Sequence, residues 1–193
     1  MYNLYKTNVT IEKMRQDEET VNFDQNSYFI SYPEFLKYFN DLNSIDRHNL
    51  ITGINFTYGW MPTIFDFRSE KIDEAIEILN SAKKGVIPTE RELDILKKCF
   101  NNSLIGTSKL LHFINPNRFA IWDSRVFRYL TQMEPHSYRL EKSSSYLDYL
   151  RFCEDITGHS NYEMIHASMT KKIRYLATPF RTSELIMFFH GKN

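Results

Sequence analysis

Cysteine is scarce in this chain: Cys99 and Cys153 are the only two among 193 residues. Both fall on apolar helical patterns, so there is no disulfide framework and no cysteine-rich metal signature, which points to a reducing compartment. An iron–sulfur cluster, which needs about four cysteine ligands, is excluded. Long apolar runs are lacking too. Nowhere does the chain sustain the roughly 18 apolar residues of a membrane span, and MYNLYKTNVTIEKMRQDEETV has no basic segment leading into an apolar core. Neither export nor membrane insertion is expected, and the expected address is the cytoplasm. His48, His112, His136, His159, His166 and His190 are scattered, with no pair at metal-ligand spacing and no HExxH, so neither a metal ion nor another cofactor is expected. Signatures of a Ser-His-Asp triad, a P-loop or a dinucleotide site are missing, as are repeats and Pro/Gly/Ser linkers.

Net charge is lacking as well, with 24 Lys+Arg against 24 Asp+Glu, which argues against broad adhesion to nucleic acid and for a localised patch. The halves differ: residues 1–100 hold 12 basic and 16 acidic groups, net −4, and residues 101–193 hold 12 and 8, net +4. Arg125, Arg128, Arg139, Lys142, Lys171, Lys172, Arg174 and Arg181 supply most of that excess. They form either a phosphate-tracking face or an ordinary solvated exterior. What the chain has in quantity is apolar surface, 42% hydrophobic and 15% aromatic residues, the composition of a packed globular protein of one domain or two small ones.

The patterning is that of an all-α fold. Helices are expected over 32–42, behind the Ser31/Glu34 capping box, over 46–58, and over 69–84, where Gly85 stops the pattern. The Thr89/Glu92 box opens another, whose apolar stripe runs from Leu93 to Phe100 and ends at Asn101-Asn102. SLIGTSK (103–109) reads as a tight turn in which Gly106 takes positive φ, followed by a short helix carrying Leu110, Leu111, Phe113 and Ile114. A short extended stretch, Phe119 to Trp122, then reaches Asp123, an N-cap for the pattern Val126, Phe127, Leu130. Further helices are expected over 146–157, over 161–176, and after Thr182-Ser183. Residues 1–30 are the weakest region, with VNFDQNSYFISY read as a strand pair or irregular.

Segment 102–130 holds the densest chemistry. A turn entering a helix presents backbone N–H groups that suit an anion, and Thr107, Ser108 and Lys109 add hydroxyl and cationic donors; the plainer reading is a helix-helix connection with a capping glycine. Asp123 is either a cap and nothing more or a fixed carboxylate able to stabilise positive charge on a sugar. His112, three residues after Lys109, shares its helix face and is either packed in a core or free to orient water.

NNSLIGTSKLLHFINPNRFAIWDSRVFRYL resembles the core of the helix–hairpin–helix DNA glycosylase superfamily: a glycine-bearing hairpin, a helix, an apolar lead-in to an aspartate, and a helix opening like AIWDSRVFR, with Asp123, Ser124, Val126 and Arg128 in the matching places. The hairpin keeps the second of the family's two glycines, and Lys109 stands one position beyond the family's lysine, so an ammonium on a DNA phosphate is expected of it before a Schiff base. The resemblance implies an all-α, two-lobed domain over 1–193, with 31–130 as the hairpin lobe and 1–30 plus 131–193 as the other. It implies a monomeric, nucleoid-associated enzyme acting on double-stranded DNA. Asp123 and Lys109 would be its catalytic pair. Gly106, Thr107, Ser108, Arg125 and Arg128 would hold DNA, and Tyr58, Trp60, His112 and Trp122 would line a base pocket. Cleavage of the N-glycosidic bond of a damaged or modified base would leave an abasic site, and some bacterial relatives excise glucosylated or hydroxymethylated cytosine in anti-phage defence. The alternative is a non-catalytic DNA-binding or interaction module that retains the hairpin.

Overall fold

The computed structural model describes residues 7–23, 27–61, 63–66, 70–173 and 175–192. Among them the chain is all-α, with eleven helices and no β-strand. It divides into two compact units, a middle one of residues 26–119 and a terminal one that joins 1–25 to 120–193. The expected hairpin lobe ran to 130; the division at 119/120 puts Asp123, Arg125 and Arg128 in the terminal unit, and Gly106, Lys109 and His112 in the middle one.

The middle unit comprises α2 (Ser27–Asn40), α3 (Arg47–Trp60), α4 (Ile72–Lys83), α5 (Glu90–Cys99) and α6 (Leu104–Ile114). α6 packs against each of the other four, and all of its residues but Ile105 and Lys109 are buried. A helix covered on nearly every side is a core helix, and its polar groups must be satisfied within the protein. Local signals set several boundaries. Thr89 and Glu92 form the capping box of α5, and Gly85 ends α4 in the left-handed region at φ 93°. Two expectations need correction. Of the stretch read as strand or irregular, 24–26 lie outside the described residues, but 27–32 form the first turns of α2, with Pro33 inside that helix. SLIGTSK is not the turn either. Asn101 and Asn102 make it, at φ 56° and 53°, because asparagine tolerates the left-handed conformation. Ser103 then caps α6 by accepting from the Gly106 N–H.

The terminal unit comprises α1 (Ile11–Thr20), α7 (Ser124–Thr131), α8 (Ser137–Leu140), α9 (Ser143–Thr157), α10 (Tyr162–Ile173) and α11 (Pro179–His190). α11 is its central helix, packed on α1, α7, α9 and α10 and buried without interruption from Phe180 to Met187. It begins earlier than expected, since Thr178 is the cap and Pro179 opens the first turn, where its missing N–H costs nothing. Thr182 and Ser183, expected to precede the helix, lie inside it. Burial of Arg181 and Glu184 is tolerated because the two are ion-paired one turn apart, and the Thr182 hydroxyl joins Pro179 O, Tyr162 Oη and His166 Nδ1. Gly191 ends α11 so close to α7 that a Cβ would run into the Arg125 backbone oxygen.

Candidate active site

Asp123 stands at the start of α7 with extended backbone, φ −156° and ψ −179°. One carboxylate oxygen, Oδ1, accepts from the Arg125 and Val126 N–H groups at 2.9 and 3.0 Å. Among the described residues Oδ2 takes no hydrogen bond, and the side chain is only part-buried. The approach to this carboxylate is built by side chains: the extended segment 120–122 has no strand partner, and its first two carbonyls accept from hydroxyls of α9. Tyr146 Oη donates to Ala120 O at 3.2 Å, and Tyr149 Oη to Ile121 O at 3.1 Å. Sequence reading assigned these tyrosines nothing; their spacing of three marks a buried face of α9 and says nothing of what that face would grip. Burial holds both phenols well above the ordinary tyrosine range, so they remain O–H donors.

Trp122, expected in a base pocket, is fully buried. Its indole N–H donates to Leu140 O at 3.0 Å, and its ring lies 5.1 Å from Tyr149 and 5.9 Å from Phe127, so it is a core residue that anchors the neighbour of Asp123. Arg125 and Arg128, expected on DNA, are half-buried. The Arg125 guanidinium lies 4.4 Å from the Phe188 ring centroid. Arg128 donates to Gly191 O at 3.0 Å and approaches Glu134 at 3.8 Å, while its Nε is buried without a hydrogen-bond partner among the described residues. Of the other basic residues, Arg181 is buried in its ion pair, Lys172 is bound to Glu18, and Arg174 lies outside the described residues.

In the middle unit the structure brings Lys109 and Trp60 together. Both are half-exposed, and the Lys109 ammonium is 5.5 Å from the Trp60 ring centroid, a cation–π contact that suits the charged form. Behind them lies a buried relay. His112 Nδ1 is 2.6 Å from Phe119 O, and its Nε2 is 2.6 Å from Tyr32 Oη. A carbonyl can only accept, so Nδ1 carries a proton toward Phe119 O, and Nε2 shares the second hydrogen bond with the Tyr32 hydroxyl. His112, expected in a base pocket, is thus fully buried with both ring nitrogens hydrogen-bonded. The Tyr32 ring also sits 6.5 Å from Trp60, a neighbour that no sequence signal suggested.

The remaining candidates are packed away. Tyr58, expected against a base, is buried and donates to Phe100 O at 2.8 Å. Gly106 is helical and is needed because a Cβ there would run into the Tyr58 hydroxyl. Thr107 and Ser108, expected to hold phosphate, are fully buried, and their hydroxyls donate to Ser103 O and Ile105 O at 2.7 and 2.9 Å. Among the described residues no group of three or more His, Cys, Asp or Glu could hold a metal ion, and no helix is long and apolar enough to cross a membrane. No family model matches the sequence, and no curated protein or solved structure matches it.

Proposed function

We propose that this chain is a DNA glycosylase that hydrolyses the N-glycosidic bond of a damaged or modified base, with Asp123 as its catalytic carboxylate. The observation that carries the reading is the division of labour between the two oxygens of Asp123. Oδ1 is fixed by two backbone N–H groups, and Oδ2 is left for another partner at a part-exposed helix start. As the bond to the base lengthens, positive charge builds on the sugar, and a carboxylate oxygen held in place lowers the energy of that state without reorganising. The same oxygen can take a proton from the attacking water, whose oxygen joins C1′ while the base leaves with the bonding electrons and gains a proton. The products are a free base and an abasic site. The sequence order of α5, turn, α6, extended segment and capped α7 supports the reading through its resemblance to the helix–hairpin–helix glycosylases. Lys109, which lies over the Trp60 ring, is suited as a cation to a phosphate rather than to attack on the sugar.

The test is incubation of the purified protein with duplex DNAs carrying ordinary, damaged, hydroxymethylated and glucosylated bases, followed by labelling with an aldehyde-reactive probe. Abasic sites on one class, abolished by Asp123→Asn, are the expected result. DNA binding without abasic sites on any substrate would instead mark a non-catalytic DNA-binding module.

A further inference from the structure

The segment 132–141 of the terminal unit carries a surface feature that excision at Asp123 leaves unused. Tyr138 stands 68% exposed. The His136 imidazole lies parallel to its ring, 5.8 Å between centroids and 13° between planes, and the Arg139 guanidinium carbon is 5.2 Å from the same ring. Single exposed aromatics are ordinary on protein surfaces. A tyrosine flanked by both a parallel imidazole and a guanidinium is a larger planar surface than these. Arg139 donates to Glu134 O at 2.9 Å, and the Glu134 carboxylate faces Arg128 of α7 at 3.8 Å. At the other end, Leu140 O accepts from the Trp122 indole at 3.0 Å. Trp122 precedes Asp123, and Leu140 is two residues from Tyr138, so the stack and the carboxylate are joined by one hydrogen-bonded connection within the terminal unit.

A flat π-face is the natural partner for this surface, because the stack presents aromatic rings and a guanidinium. Nucleobases do so whatever their sequence, and they stack on tyrosine, histidine and arginine alike. Extruding a nucleotide for excision leaves a neighbouring base without its pair. We propose that the His136–Tyr138–Arg139 stack is a platform on which an unpaired DNA base beside the target nucleotide stacks, an inference that rests on the glycosylase reading.

The experiment uses the full chain carrying Asp123→Asn, which binds without turnover, and a duplex with a tetrahydrofuran abasic analogue opposite 2-aminopurine. Stacking on the platform is expected to quench 2-aminopurine fluorescence. Adding Tyr138→Ala should remove the quenching and weaken binding about 5- to 100-fold, whereas Tyr138→Phe, which keeps the ring, should preserve both. Tyr138 is exposed, so an unchanged melting temperature confirms that the alanine variant is folded. If that variant binds and quenches as its parent does, the platform is overturned while abasic-site formation by the wild type still stands. If the parent does not bind the duplex at all, the glycosylase reading falls with it.

Discussion

The helix starts of α6 and α7 look alike in sequence and differ in the fold. Each has a polar cap, Ser103 in one and Asp123 in the other, followed within a few positions by at least one hydroxyl and one basic residue. At α6 the four surrounding helices enclose the first turns, so Thr107 and Ser108 donate to the helix's own carbonyls and Gly106 makes room for Tyr58. Both caps are part-exposed, but at α7 Ser124 and Arg125 after the cap stay part-exposed too, and Asp123 keeps one carboxylate oxygen uncommitted. A donor-rich helix start can serve a ligand only where packing leaves it uncovered; where packing covers it, the same residues complete the core.

The strongest way to break this comparison is Asp123→Asn. Asparagine caps a helix as well as aspartate does, so the melting temperature should hold, while base excision is expected to fall at least about 100-fold for want of the carboxylate. Equal losses of stability and activity would make Asp123 a cap alone. Gly106→Ala is expected to cost about 1–3 kcal/mol by overpacking against Tyr58. Combining it with Tyr58→Phe, which removes the clashing hydroxyl, should give less than the sum of the two single changes in denaturant unfolding. Ser103→Ala should cost about 1 kcal/mol for the lost cap and leave excision by the folded protein unchanged. The smallest effect concerns His166, whose pKa is lowered by burial against α11. The unfolded chain then binds more protons just below the ordinary histidine pKa, so this contribution is present at pH 7 and is lost as the pH falls below about 6.5. The drop in melting temperature between pH 7 and pH 5.5 should be smaller in His166→Gln.

Much of the fold was legible in the chain itself. The Thr89/Glu92 box, the stop at Gly85 and the Asp123 cap are local signals, decided within a few residues by which side chain can reach which N–H or which residue can adopt positive φ. The starts of α2 and α11 were not legible, because the Ser31/Glu34 box and the pair Thr182-Ser183 favour helix boundaries locally, whereas both lie inside helices and Thr182 and Ser183 are buried there. In the candidate site, Asp123 could be found from its place before a helix, but Tyr146 and Tyr149, which fix the segment leading to it, come from a distant helix.

The sequence by itself determined the all-α class and the capped start of α7, because helix periodicity and capping are short-range effects. Tertiary structure alone decided that His112 and Trp122 are satisfied core groups, that Lys109 lies over Trp60, and that Asp123 keeps an oxygen free. Burial and hydrogen-bond partners depend on which helix faces meet, and no residue's own neighbours in the chain can specify that.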